Sequence, residues 1–210
     1  KRATTGIPWQ QGETLNAAIG QGYLLTTPVQ LATMSARFAN GGNAVRPWLV
    51  RSVGGRARTV PQAVPMGIAP QNMQVIQQGM DAVVNIPGGT AFRSRLPLDD
   101  LAMAGKTGTA LVRRISREER ARGVLKNEEL PWRFRDHALF VGYGPVANPR
   151  YAISVIVDHG GGGSAAAAPV AKDIMTRVLT RDPMALVAYE QSVPGRDVTG
   201  LADDSAKEQG

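Results

Sequence analysis

The run Gly105-Lys106-Thr107-Gly108-Thr109 gathers a cation, two hydroxyls and two glycines into five residues. Two kinds of chemistry use such letters. A phosphate-cradling loop needs a glycine five positions before its Gly-Lys-Thr and a helix after it. Asp100 occupies that position, and Thr109-Ala110-Leu111-Val112 reads as strand, so the phosphate-cradling loop is rejected. On a strand, side chains alternate between faces. Thr107 and Thr109 then share one face and can donate hydroxyls to a substrate carboxylate. Lys106 points the other way and supplies fixed positive charge beneath the site. Gly108 shares the lysine's face and, lacking a side chain, lets a neighbouring helix approach. The backbone N–H of Thr109 can serve as one donor to a developing oxyanion, an interaction worth roughly 3–4 kcal/mol of barrier. Taken alone, the same letters equally describe a threonine-rich strand beside an exposed lysine.

The elements around this run can be placed. Thr27 as N-cap, Pro28 in the first turn and Gln30 completing a capping box start a helix, with Leu31, Met34 and Phe38 as its apolar stripe and Asn40-Gly41-Gly42 as its end. Val45 to Val53 reads as a strand with a hairpin turn at Gly54-Gly55. A second helix starts near Pro70, with Met73, Ile76, Met80 and Val83 at helical spacing, and Pro87-Gly88-Gly89 closes that region. Leu101 to Val112 is extended. Residues 113–136 are a highly charged, solvated insertion in which Ser116 and Glu119 suggest a capping box and Gly123 a stop. Strands follow at His137–Tyr143 and Tyr151–Asp158, joined by a turn with Pro145 and Asn148-Pro149. A last helix spans about Ala167 to Thr180, with Val170, Ile174, Val178 and Leu179 on one face. The order predicts an α+β fold, an antiparallel sheet with helices packed on its faces. Residues 1–183 form the folded part, and the polar stretch 184–210 is expected to be disordered.

Composition narrows the function. A chain of 210 residues, 43 % hydrophobic, suits one core. Its 24 basic and 17 acidic side chains leave a formal charge of +7, which suits an anionic membrane or cell-wall polymer as well as nucleic acid. With 5 % aromatic residues and no basic-aromatic patch, nucleic acid is not the expected partner. The absence of cysteine excludes disulfides, thiolate nucleophiles and zinc-thiolate sites. The first residue is Lys1 rather than methionine, and no signal peptide is evident. The most apolar stretch, 151–171, is broken by Asp158, His159 and four glycines and is not a membrane span.

Both histidines follow an aspartate. A hairpin centred between Gly144 and Tyr151 sets His137 opposite Asp158 and Asp136 opposite His159 on the other face. Each face would offer only two ligands where zinc takes three or four, so cross-strand charge pairs, and no metal site, are expected.

Several blocks together resemble a known family. They are Trp9 with Gly12-Glu13-Thr14, Ile19-Gly20-Gln21-Gly22-Tyr23, Thr26-Thr27-Pro28-Val29-Gln30-Leu31-Ala32, Gly88-Gly89-Thr90-Ala91, Ala104 to Ala110, Ala138 to Pro145, Tyr151 to Val157 and Ala168-Pro169-Val170. Over roughly residues 6–183 the chain resembles class B penicillin-binding proteins, and the elongation-type branch, penicillin-binding protein 2, is the nearest in kind. Arg135-Asp136-His137 leans the same way. The resemblance implies part of a serine β-lactamase and penicillin-binding transpeptidase-like fold. It implies a peptidoglycan D,D-transpeptidase in which Lys106 and the Thr109 N–H are catalytic and Thr107, Gly108 and Thr109 bind substrate. It implies no metal or organic cofactor. Stem peptides, β-lactams and membrane proteins of the elongation machinery would be its partners, at the periplasmic side of the inner membrane.

The sequence departs from that pattern at two of three motifs. None of Ser35, Ser52, Ser94, Ser116, Ser154, Ser164, Ser192 and Ser205 has lysine three residues later or asparagine two later. The family's nucleophile motif, Ser-x-x-Lys, and its Ser-x-Asn motif lie upstream of the Ile-Gly-Gln-Gly-Tyr block. The expectation is a chain that starts after them, holds no nucleophile, does not acylate by itself, and exposes apolar surface where the nucleophile's helix would pack. A non-catalytic binding module or gene remnant is the alternative. A carboxypeptidase, β-lactamase or β-lactam sensor is disfavoured by the Ile-Gly-Gln-Gly-Tyr block.

Overall fold

The computed structural model describes residues 1–113 and 115–181, and for Asp99 the backbone alone. The expected tail at 184–210 lies outside the described residues. In chain order the elements are α1 (Arg2–Thr5), α2 (Gln11–Ala18), α3 (Pro28–Ala39), β1 (Ser52–Val53), β2 (Arg56–Ala57), α4 (Pro70–Asn85), β3 (Ala104–Ala110), α5 (Arg117–Arg122), β4 (His137–Gly144), β5 (Tyr151–Val157) and α6 (Ala167–Arg181). Short 3-10 turns lie at Phe92–Ser94, Asp99–Leu101, Asn127–Glu129 and Trp132–Phe134.

The sheet is antiparallel in the order β3-β4-β5. The anticipated register is present, with Ala138 opposite Val157 and Gly144 opposite Tyr151. Alternation along β4 divides the core. Ala138 and Phe140 join Ala168, Ala171, Met175 and Leu179 of α6 in one cluster, while Tyr143 meets Ala104, Met80, Phe38 and Ala39 on the α3 side. Helix α4 lies beside β3 and serves both clusters, through Val84 and Met80.

Helix α3 begins as its letters require. Thr27 Oγ1 accepts from the Gln30 N–H at 3.3 Å, and Gln30 Oε1 accepts from the Thr27 N–H at 2.8 Å. The buried face of α3 differs from the expected stripe. Met34 is exposed, and the residue in full contact with the sheet is Ser35, whose hydroxyl donates to Gly142 O at 2.8 Å. Alanines 32, 36 and 39 flank it, and small side chains let this helix approach β4 and β5 more closely than a Leu/Met ridge would allow. Helix α6 shows the same kind of correction. Its buried face is Ala168, Ala171, Met175 and Leu179, whereas Val170 and Ile174 are 42 % and 44 % exposed.

The strand expected over 45–53 is reduced to two residues, Ser52–Val53, paired with Arg56–Ala57 across Gly54-Gly55. Among the described residues no further strand pairs with these two. In the charged insertion, Ser116 caps α5 by accepting from the Glu119 N–H at 3.1 Å. The reciprocal half of the box is missing, because the Glu119 carboxylate accepts from both terminal nitrogens of Arg113, at 2.6 and 2.5 Å. A bidentate guanidinium outcompetes a single backbone N–H.

Candidate functional site at the edge of β3

Strand β3 is the edge of its sheet, and the residues singled out in the sequence all lie on it. Pairing places Lys106 opposite Val141 and Gly108 opposite Leu139, on the α3 face. Thr107 and Thr109 lie opposite Phe140 and Ala138, on the α6 face. The alternation read from the letters is therefore present. Gly105 is obligatory on steric grounds, since a Cβ there would lie 2.2 Å from Phe140 Cζ and 2.6 Å from Val141 O.

Two side-chain donors reveal how the strand backbone is turned. Lys106 Nζ donates to Thr107 O at 2.8 Å, and Gln21 Nε2 donates to Thr109 O at 2.8 Å. Both carbonyls therefore face away from β4. In an antiparallel ladder the N–H and C=O of one residue point to the same side, so the N–H groups of Thr107 and Thr109 also face the open edge. That edge offers two outward N–H donors, with its two carbonyls held by the Lys106 ammonium and the Gln21 amide. Gln21 belongs to the Ile19–Tyr23 block, so two stretches that carried the family resemblance from 88 positions apart meet here.

The threonine hydroxyls are not equivalent. Thr107 Oγ1 shares a hydrogen bond of 2.8 Å with Thr90 Oγ1, from the Gly88–Ala91 turn, whereas Thr109 is exposed and has no such partner among the described residues. The glycine expected to admit a neighbour also needs correction. At Gly108 a Cβ would meet only Leu139 Cβ, at 3.3 Å. The tight approach is on the opposite face, where Gly163 lies against the strand. A Cβ on Gly163 would fall 2.3 Å from Leu139 O and 2.5 Å from Gly108 O. The segment that closes on Gly108 is thus the glycine run leading into α6, not the side of a helix. Sequence reasoning missed Gly163 as a contact, although four consecutive glycines before a helix are the signal for such an approach.

At the far end of β3, Asp136 ties three segments together. Its carboxylate accepts from the Val112 N–H at 3.2 Å and from Asn127 Nδ2 at 3.4 Å, and its carbonyl accepts from the Gly161 N–H at 2.8 Å. The expected cross-strand pairs are half realised. His137 Nδ1 lies 3.5 Å from Asp158 Oδ1. That nitrogen also accepts the His159 N–H at 3.0 Å. Asp136 and His159 do not pair. His159 takes the left-handed conformation, φ 55°, which turns it out of register, and its ring meets Trp132 and His137 with Nδ1 at 2.8 Å from Arg135 O. Among the described residues no three His, Asp or Glu side chains converge as a metal-holding group.

Comparison with known proteins gives the chain its family. The family description "Penicillin binding protein transpeptidase domain" matches residues 2–176, and the chain belongs to that family. Within it the chain is of the penicillin-binding protein 2-like, class B kind. The peptidoglycan D,D-transpeptidase MrdA of Haemophilus influenzae is 32 % identical over 209 residues, covering 97 % of this chain and 31 % of its own length. MrdA of Acinetobacter baumannii is 35 % identical over 172 residues, 80 % of this chain and 24 % of its own. The solved structure of PBP2 from Pseudomonas aeruginosa in complex with WCK 5153 superposes with a TM-score of 0.65 at 38 % identity, over 83 % of this chain and 34 % of that one. PBP2 of Helicobacter pylori in complex with MreC gives 0.58 at 26 % identity, over 86 % and 30 %. The chain thus spans between about a quarter and a third of the length of these relatives. Among the described residues no helix is long and apolar enough to cross a membrane.

Proposed function

We propose that this chain supplies the strand side of a peptidoglycan D,D-transpeptidase site, with the nucleophilic serine provided by a part of the protein outside these 210 residues. The observation that carries the reading is the outward-facing backbone of Thr107 and Thr109 on an unpaired strand edge, with Lys106 Nζ against it. In the reaction, a serine oxygen attacks the carbonyl of the D-Ala-D-Ala bond. The terminal D-alanine leaves, and an amine of a second stem peptide then displaces the serine to form the cross-link. Here the Thr109 N–H donates to the oxygen that becomes negative in each tetrahedral stage. The Thr107 and Thr109 hydroxyls hold the substrate's terminal carboxylate, and Lys106 adds fixed positive charge. Gly108 lies between the two threonines on the edge strand, along which an extended peptide can lie. β-Lactams enter by the first half of this route and stop at the acyl stage. The whole protein would act at the periplasmic side of the inner membrane with elongation-machinery proteins, a reading supported by the MreC-bound relative.

A second reading has its own observation. No serine in the sequence has lysine three positions later, so the chain by itself lacks a nucleophile–base pair and would serve only as a binding module. Labelling with a fluorescent penicillin separates the two. The 210-residue chain should not be labelled covalently. A protein that joins it to a Ser-x-x-Lys segment should be. In that protein Thr109→Pro removes one outward N–H without breaking a ladder bond, and acylation should fall about 10²- to 10³-fold. Unchanged acylation in that variant would sink the role given to the Thr109 N–H.

A further inference from the structure

Between Asn43 and Pro65 the chain leaves the body after α3 and returns before α4 as a two-limbed arm. The Asn43–Pro65 bridge and a bond from the Ala44 N–H to Val64 O close its base, and the β1–β2 pairing closes its tip. The register differs by one residue between base and tip, so the limbs bulge apart between them. The opening is a cleft of about 380 Å³ lined chiefly by Ala44, Arg46, Trp48, Val60 and Val64. No backbone hydrogen bond joins 46–50 to 59–63 among the described residues, which leaves main-chain groups for a partner. Leu49 is fully exposed, and Val53 is 72 % exposed.

The charge on this arm is of one sign. From Thr14 to Met80 the sequence holds no aspartate or glutamate but five arginines, four of them in the arm at 46, 51, 56 and 58. The Arg58 N–H donates to Arg51 O at 2.9 Å, which sets the two residues directly opposite each other. Like charges facing across a strand pair are unfavourable. Arg58 finds partial relief over the Trp48 ring, 3.8 Å from its centroid. None of the four arginines pairs with a carboxylate among the described residues. The arm therefore combines an apolar cleft of side-chain size, unpaired backbone and uncompensated positive charge.

We infer that the 43–65 arm is a docking surface for an extended acidic protein segment, which seats one apolar side chain in the cleft and sets carboxylates against Arg51, Arg56 and Arg58. An anion between Arg51 and Arg58 offsets their repulsion, and an extended segment can pair with the open limb. A lipid surface would use the arginines but not the cleft or the backbone. The inference is independent of the transpeptidase reading, since no residue of the β3 edge takes part.

The test uses the whole chain and three probes: a glutamate-rich peptide with one central leucine, its lysine-for-glutamate counterpart, and phosphatidylglycerol vesicles. Calorimetry and Trp48 fluorescence should show saturable binding of the acidic peptide alone, weakening as salt is raised. The double variant Arg51→Glu/Arg58→Glu should bind that peptide at least about tenfold less tightly and gain affinity for the lysine peptide. A melting curve matching that of the parent shows that the fold is kept. If the charge-reversed arm behaves like the parent with both peptides, if vesicles bind and the acidic peptide does not, or if nothing binds, the inference is wrong.

Discussion

At the scale of single residues, glycine does more to shape the site than any charged group. Gly105 makes room for the Phe140 ring beneath the strand, and Gly163 lets the glycine run lie on the Gly108 backbone. These are contacts of backbone with backbone or with a buried ring, so a methyl group has no flexible neighbour to displace. Gly163→Ala should lower stability by about 1–3 kcal/mol, as overpacking does, and should shift the amide resonances of Gly108 and Thr109. Gly162→Ala, where an added Cβ meets nothing within 4 Å, should leave both unchanged and serves as the control. A Gly163→Ala protein with parental stability and spectra would refute the contact. The lysine and threonines were legible from their letters because alternation on a strand is local. Which glycine met which backbone was not, because 55 residues separate Gly108 from Gly163.

At the scale of elements, the helices at 28–39, 70–85 and 167–181 and the three strands of the sheet followed from sequence, while the strand expected over 45–53 and some of the buried faces did not. Caps and turns are local chemistry, and the Thr27-Pro28-Gln30 start of α3 appears as read. The faces of α3 and α6 were misjudged in the same manner. Phe38 and Leu179 pack inward as expected, but Met34, Val170 and Ile174 were also assigned inward, whereas Ser35 in α3 and Ala168, Ala171 and Met175 in α6 hold those buried positions. Close helix–sheet packing selects small residues, and hydrophobicity alone does not report distance. Met175 is buried and Ile174, its neighbour, is 44 % exposed. Met175→Ala should therefore cost about 2–5 kcal/mol in chemical denaturation, and Ile174→Ala less than about 1 kcal/mol. Equal losses would mean that α6 presents a different face to the sheet.

At the scale of the whole molecule, two properties stand out. One is a set of carboxylates held below their usual range. The Arg113 hydrogen bonds lower Glu119, and Glu118 is lowered chiefly by its own backbone N–H and then by Ser116. A carboxyl group with a depressed folded value stabilises at pH above its unfolded value, and that contribution is lost as pH falls through the folded value. The melting temperature of Glu119→Gln should lie below that of the parent at neutral pH, and the gap should close as the solution is acidified through the carboxylate range. A gap that widens instead would contradict the pairing. The second property is exposed apolar surface, including Leu24, Leu25, Val170 and Ile174. Soluble chains seldom leave so much uncovered unless something else packs there.

The sequence by itself determined what is local: strand alternation at 104–110, the caps, the hairpin register of β4 and β5, and motif blocks specific enough to assign the family. It also established that no serine here is followed by the family's lysine. Tertiary structure decided what depends on distance between remote residues. It set Gln21 on the Thr109 carbonyl, Thr90 on the Thr107 hydroxyl and Gly163 on the Gly108 backbone. It turned His159 out of the pairing that the hairpin register predicted, and it reduced the strand anticipated over 45–53 to two residues at the tip of an arm. The physical reason is the same in each case. Periodicity and capping are written within a few residues, whereas the depth of a contact depends on how closely two separately formed elements can approach.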